Sequence, residues 1–425
     1  MRSLGLYRRF GAALAILFVT ILLTGVFASA QSETVLHNFL NHGSGGYQPY
    51  GGLAIDAAGN LYGTTFTGGS KNGGTVFELS PKAGGGWIGK VLHEFTQDGV
   101  GGSSPLAGPI VDTSGNLYGT TAFGGATDQG TVFELTSTAG GWKETVLYSF
   151  GKSSMEGALP YSPLIFDAAG NLYGTTAGGG AACSCGTVFE LIPTAGGGWK
   201  EKTLHRFKDD GVDGDSPVGG LVFDASGNLY GTASGGGDLN CYGDSGYAGC
   251  GAVFELTPSS DGTWTETVLH DFGHGGSDGV YPYGGLVVDA AGNLYGTTLE
   301  GGEDGRGVVY KLTHQADGTW TENAAYSFGT HSSDGGAPMA GVIFDAAGNL
   351  YGTTMIDGTD GEGGTVFELV PKPGGGWSET MLHRFDGRDG ARPTAGLSFD
   401  KAGNLYGTTS LGGPGGGGTV FEVSH

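Results

Sequence analysis

Residues 56–65 read DAAGNLYGTT. The last seven of them, GNLYGTT from Gly59, return at Gly115, Gly170, Gly227, Gly292, Gly348 and Gly403 with one change, GNLYGTA at Gly227. With the asparagine as marker, the copies advance by 55 to 57 residues, apart from one step of 65 between Asn228 and Asn293. A fixed period of this length is the signature of a repeat architecture. Each unit holds four strand-like pieces; in the first they are GGLAID, NLYGTTF, GTVFELS and, past a glycine-rich turn, WIGKVLHEF. The pieces are short, rich in β-branched and aromatic residues, and punctuated by Gly, Pro, Asn and Asp. No stretch beyond the first thirty residues carries sustained helical periodicity with caps. Four strands in each of seven units describe an all-β, seven-bladed β-propeller whose blades are four-stranded antiparallel sheets.

The two ends of the repeat array support a closed ring. The seventh unit stops at GTVFEVSH (Gly418 to His425), after its third strand, and its missing fourth strand would resemble ETVLHxF. ETVLHNF stands at Glu33 to Phe39. The N-terminal strand 33–39 is therefore expected to complete the last blade, pairing two edges that would otherwise template aggregation. Trp87, Trp142, Trp199, Trp264, Trp320 and Trp377 each open a fourth strand, and the incomplete seventh unit has none.

A string that every blade carries reads as packing chemistry. DAAGN is hairpin chemistry, with Asp capping the turn and Gly and Asn tolerating positive φ. Leu61 and Tyr62 point to opposite faces of the second strand, so each should meet a different neighbouring blade. The same reading covers Phe77 and Glu78 of VFEL, the latter replaced by Lys311 in the fifth unit. It also covers His37, His93, His205, His270 and His383, which share one slot with Tyr148 and Tyr326.

Arg2, Arg8 and Arg9, the apolar run Gly11 to Val26 and the small residues Ala28-Ser29-Ala30 read as a secretory signal peptide over residues 1–30, cut before Gln31. The mature propeller, 31–425, is then a secreted or periplasmic monomer. The chain has 42 acidic against 19 basic residues, a formal charge of −23, and the leader holds three of those arginines and no acid. That balance excludes nucleic acid and an anionic membrane surface as partners. It leaves cations, basic proteins and neutral glycans. An exported chain with four cysteines suggests disulfides. Cys241–Cys250 is the simplest bridge, stapling the long loop behind the 65-residue step, and a crosslink between neighbouring blades is also within reach. A Cys183–Cys185 pair would be strained, so these two are expected as free thiols if the first bridge forms.

Over residues 33–425, the recurring DAAGNLYGTT…GGTVFEL resembles the GloVer-type, or choice-of-anchor, tandem-repeat proteins of bacterial cell envelopes. That resemblance implies a secreted or surface protein with a repeated all-β body, and it brings no catalytic residues to transfer. Relatives commonly add a C-terminal anchoring segment, whereas this chain ends at Ser424-His425 inside the fold. A soluble periplasmic or released protein is expected on that ground.

Sites are expected where the copies differ, in the loops joining second to third strands and in those joining blade to blade. The blade-to-blade loops place an acid before a glycine at Asp98, Glu156, Asp213, Asp278, Asp334 and Asp389. KDDGVDGDSP is the densest of them, and its Asp209, Asp210, Asp213 and Asp215 are candidate ligands for Ca²⁺, which takes oxygen donors. The second-to-third-strand loops add Glu300, Glu303, Asp304, Asp357, Asp360 and Glu362, giving an acidic variable face. Tyr47, Tyr161, Tyr281 and Tyr283 lie near the loop ends, and His274 and His331 break the repeat pattern. Tyr161, Tyr281, Tyr283, His274 and His331 are the candidate ligand-binding residues. No nucleophile-and-base constellation stands out. The expectation is a non-catalytic extracellular scaffold binding glycan or protein through this face. The alternatives are a carbohydrate-active or lactone-cleaving enzyme with carboxylates or a His–cation pair at the central opening, and an envelope protein with only a structural role.

Overall fold

A computed structural model of the protein describes residues 32–180, 183–208, 210–239, 241, 249–331, 334–358, 361 and 363–424. The expected leader at 1–30 lies outside them, as do Asp209, Asp360 and Glu362. The described residues form seven four-stranded antiparallel blades in a ring. Blade 1 runs outward from the central channel through Ala54–Ile55, Leu61–Thr65, Thr75–Pro81 and Trp87–Glu94. The same order recurs in the next five blades, beginning at Ile110–Val111, Ile165–Phe166, Val222–Phe223, Val287–Val288 and Ile343–Phe344. Blade 7 is Ser398–Phe399, Leu405–Thr409 and Gly416–Ser424, and its outer strand is Ser32–Leu40, with Ser32 opposite Ser424 and Leu40 opposite Gly416. The N-terminal strand thus closes the ring.

The recurring string earns its place residue by residue. Asp56 Oδ1 accepts from the backbone N–H groups of Ala58 and Asn60, both at 2.9 Å, and Oδ2 accepts from Asn60 Nδ2 at 2.8 Å and the Tyr62 hydroxyl at 3.1 Å. Gly59 turns the hairpin at φ 85°. The set repeats at Asp112, Asp167, Asp224, Asp289, Asp345 and Asp400. Leu61 packs against Tyr406 and Val420 of blade 7, whereas Tyr62 packs against Leu117 and Phe133 of blade 2. A Cβ on Gly63 would lie 2.4 Å from the Phe77 ring, so the strand can hold only glycine there. Thr64 Oγ1 donates to the Ala107 carbonyl of the next blade at 2.8 Å, and Thr65 and Thr75 share a buried hydroxyl bond at 2.8 Å. In the fifth blade, where Lys311 replaces the glutamate, its ammonium sits 5.4 Å over the Tyr295 ring, a cation–π contact in place of the bond that Tyr118, Tyr173, Tyr230 and Tyr351 give to the third-strand glutamate.

Seven hydrophobic clusters form the core, each shared by two adjacent blades. In each, the phenylalanine closing one outer strand meets the third-strand aromatic of the next blade edge to face. Phe95–Phe133 and Phe207–Phe254 both have centroids 5.1 Å apart, within the range such pairs prefer. The links between blades carry a second sevenfold device. Gln48, Ser104, Leu159, Ser216, Tyr281, Ala337 and Arg392 all have φ between 53° and 61°, and each precedes a proline. A non-glycine residue there costs of order 1–3 kcal/mol and persists only when its surroundings hold it. Here they do. Ser216 N–H donates to the Cys185 carbonyl of the preceding blade at 2.9 Å, while its own carbonyl accepts from Ser234 N–H of its own blade at 3.2 Å. The same two bonds recur at the other six positions.

Candidate functional site

The proline that follows each of these clamps sends the next residue into the central channel. Seven residues therefore ring the loop-face mouth in blade order: Tyr50, Leu106, Tyr161, Val218, Tyr283, Met339 and Thr394. Tyrosine occupies blades 1, 3 and 5, and smaller or aliphatic side chains occupy the others. The cavity below is about 670 Å³ and its wall is largely glycine and aliphatic residues. Among the described residues lining it, Arg392 is the one charged side chain, and no carboxylate or histidine is present. All three tyrosines are half-buried, which leaves part of each ring on the channel. Such an arrangement can bind flat, weakly polar groups by stacking. It offers no acid–base pair.

Carboxylates and histidines gather instead at the outer rim, between blades. The histidine near the end of one outer strand meets the acid of the following loop and a glutamate from the next outer strand. His205 Nε2 lies 3.0 Å from Asp213 Oδ2, beside Glu266; His270 Nε2 lies 3.3 Å from Asp278 Oδ1, beside Glu322; His383 Nε2 lies 2.9 Å from Asp389 Oδ2, beside Glu33. In each trio one ligand atom per residue lies within 4.8 Å of the other two. Burial, reinforced by Asp213, pushes Glu266 up to about 7; burial with Asp278 does the same to Glu322, and burial with Asp389 and Asp386 to Glu33. One oxygen of each glutamate is buried without a hydrogen-bond partner. The remaining junctions vary the theme. His93 Nε2 stands 3.3 Å from Glu144, the Tyr326 hydroxyl donates to Asp334 at 3.0 Å, and His37 faces Gly89 with no acid in its loop.

Glu379, beside that Tyr326–Asp334 pair, is pushed up to about 7 by burial and then by Asp334. A carboxyl whose folded pKa is raised keeps its proton in the folded chain after the unfolded chain has lost it. Its contribution to stability is therefore present below pH 4.5 and is lost as pH rises through 7. Taken whole the shift is about 3 kcal/mol; with nearly half of the group in reach of solvent we expect about 1 kcal/mol. Thermal melts of Glu379→Gln should show a smaller loss between pH 5 and pH 8 than the parent, and equal pH slopes would contradict the assignment.

The residues expected from sequence are dispersed. Tyr161 and Tyr283 line the channel, joined by Tyr50, which the sequence reading did not single out. Tyr281 is fully buried and does not line it. His274 is exposed and pairs with Asp271 at 3.1 Å, and His331 is exposed beside the Thr330 hydroxyl. Asp210 caps its own turn through Val212 and Asp213 N–H, Asp213 turns to His205, and Asp215 accepts from the Ser216 hydroxyl, so these three do not converge on one point. Tyr47 packs against the cluster between blades 7 and 1, and Asp357 is buried, accepting from Gly361 N–H. Cys241 and Cys250 are bridged as expected. Cys183 and Cys185, expected as free thiols, are bridged to each other, because the turn at Ser184, φ 58°, brings their Cα atoms to 5.3 Å, a span a disulfide accepts. The tyrosine ring had a legible signal, since each member follows one of seven regularly spaced prolines. So did the rim clusters, where acid follows His or Tyr by eight residues in four loops.

A family model described as the Gloeobacter/Verrucomicrobia repeat matches residues 25–244 and 240–425. No curated protein matches the chain. Among solved structures, PorZ, a bacterial surface component of the type-IX secretion system of Porphyromonas gingivalis, is similar over 91% of this chain and 47% of its own, with TM-score 0.53 and 15% identity. An ancestral GH74 enzyme is similar over 90% of this chain and 48% of its own, with TM-score 0.58 and 13% identity. The chain thus spans about half the length of either. At these identities the likeness is one of fold.

Proposed function

The chain belongs to the Gloeobacter/Verrucomicrobia repeat family, and from that premise we propose that it is a binding scaffold working outside the cytoplasm, with a neutral glycan as ligand at the loop-face mouth of its channel. The observation that carries this reading is the alternate placement of Tyr50, Tyr161 and Tyr283 around the mouth. Seven equivalent positions accept anything from threonine to tyrosine, so packing alone does not demand aromatics there. Sugars present apolar faces that stack on such rings, while a half-buried tyrosine keeps its hydroxyl near water. Two disulfides suit an oxidising compartment, in keeping with residues 1–30 as an export leader. Glycoside hydrolysis generally uses two carboxylates flanking the scissile bond, and the channel lining favours binding over cleavage.

Calorimetric titration of the protein with a panel of neutral and charged polysaccharides tests the proposal. One neutral glycan should bind, and a Tyr50→Ala, Tyr161→Ala, Tyr283→Ala triple variant should lose at least tenfold in affinity while its melting temperature stays within a few degrees. A flat panel, or a triple variant that binds as well as the parent, would sink the reading and point to a protein ligand elsewhere on the loop face.

A further inference from the structure

We propose that three blade junctions, 3/4, 4/5 and 6/7, are each a divalent transition-metal site that staples neighbouring blades at the rim, Zn²⁺ being the ion the donors suit best. The ligands are His205, Asp213 and Glu266 in the first, His270, Asp278 and Glu322 in the second, and His383, Asp389 and Glu33 in the third. Each trio draws on two blades and the loop between them, so an ion held there would tie three separate segments.

Four observations converge. The donor set is one imidazole nitrogen and two carboxylates, which suits zinc and its neighbours in the first transition row. Ca²⁺ calls for six to eight oxygen ligands, and these pockets supply two carboxylates and a nitrogen. The His–Asp spacing fits as well: ligands about 2.0–2.1 Å from a tetrahedral zinc lie roughly 3.3 Å from one another, the His–Asp distances are 3.0, 3.3 and 2.9 Å, and the glutamate, within 4.8 Å of both, would close in on the ion. Next, the third ligand is waiting, because Glu266, Glu322 and Glu33 each keep one oxygen buried with no hydrogen-bond partner. An orphaned carboxylate oxygen is costly to bury, and a cation shared with the facing aspartate would satisfy it. Finally, the ring carries its own controls. At junctions 2/3 and 5/6 the histidine slot holds Tyr148 and Tyr326, and at 7/1 His37 faces Gly89. Tyr148 and Tyr326 show that the fold tolerates the position without imidazole, so histidine there is not a packing requirement.

The test uses the full, tag-free chain, stripped with chelator and titrated with ZnCl₂ by calorimetry, with metal content read by mass spectrometry. Three equivalents should bind, and zinc should raise the melting temperature of the stripped protein. His205→Tyr, His270→Tyr and His383→Tyr copy residues the ring already uses in this slot, and each should remove one equivalent and leave the fold intact. Should a tyrosine variant fold poorly, Glu266→Gln, Glu322→Gln and Glu33→Gln conserve size and should weaken their own sites at least tenfold. His331→Ala should change nothing. Fewer than one equivalent of zinc, an unchanged stoichiometry in the tyrosine or glutamine variants, or binding of Ca²⁺ in place of Zn²⁺ would overturn the proposal.

Discussion

Deleting residues 32–40 is expected to abolish cooperative folding. That segment is the outer strand of blade 7 and is paired with Gly416–Ser424 along its whole length. It also supplies Phe39, which is 2% exposed and stands edge to face with Phe77 of blade 1 at 5.1 Å. Truncating one buried phenylalanine costs about 3–5 kcal/mol, and the deletion removes in addition a strand ladder and the seam between the first and last blades. The phenylalanine alone is a large fraction of the margin by which a typical domain is stable, about 5–15 kcal/mol, and the lost ladder and seam come on top of it. The open edges left behind are aggregation templates. Circular dichroism on heating should show no cooperative transition for the deleted chain, and Phe39→Ala should melt cooperatively but well below the parent. A deletion that melts within a few degrees of the parent would mean that the seam is not structural.

Gly108→Ala should be the most damaging methyl group that can be added to this protein's inner wall. A Cβ on Gly108 would lie 1.9 Å from the carbonyl oxygen of Gly52 and 2.8 Å from its carbonyl carbon, and a Cβ on Gly51 would in turn lie 2.1 Å from the Gly108 nitrogen. Both neighbours are backbone, so no side chain can swing away, and relief requires blades 1 and 2 to part. Parting them strains the Thr64–Ala107 bond and the Tyr62 cluster between the same blades. Overpacking in a tight core costs about 1–3 kcal/mol, occasionally more, and a backbone clash belongs at or above the upper end. Gly196→Ala is the control: its Cβ meets nothing within 4 Å and its φ is not positive. Urea denaturation should show a loss of about 3 kcal/mol or more for the first variant and under about 0.5 kcal/mol for the second. Comparable stabilities would show that adjacent inner strands have more room than their separation implies.

The architecture was open to reading because a blade is a local object. Everything that defines it, from the Asp56 hairpin to the Thr65–Thr75 bond, falls within one period, so each feature recurs at a fixed offset and periodicity reports it. Even the closing strand was visible, as the seventh copy of a pattern already seen six times. The rim clusters escaped because they are made between periods. His205 and Asp213 stand eight residues apart, but Glu266 belongs to the next blade, and Glu33 reaches His383 across nearly the whole chain. Taken column by column, the histidines read as packing and the aspartates as loop residues; the eight-residue step pairs those two, but nothing in one repeat says that the next blade's glutamate joins them. The tyrosines show the limit at single-residue resolution. Tyr281 and Tyr283 flank the same proline, yet the clamp at φ 61° buries the first ring while the second faces the channel.

The closing seam also has a direction in time. A ribosome makes Ser32–Leu40 first among the described strands and Gly416–Ser424 last, so the earliest strand must wait for the latest before it has a partner. Through most of synthesis blades can stack on finished neighbours, each addition burying one more shared cluster, but blade 7 and the contact of Phe39 with Phe77 cannot form. The step that commits the ring to its native state therefore waits for Gly416–Ser424, and a nascent chain remains a row of blades with two unsealed edges until that nine-residue strand arrives.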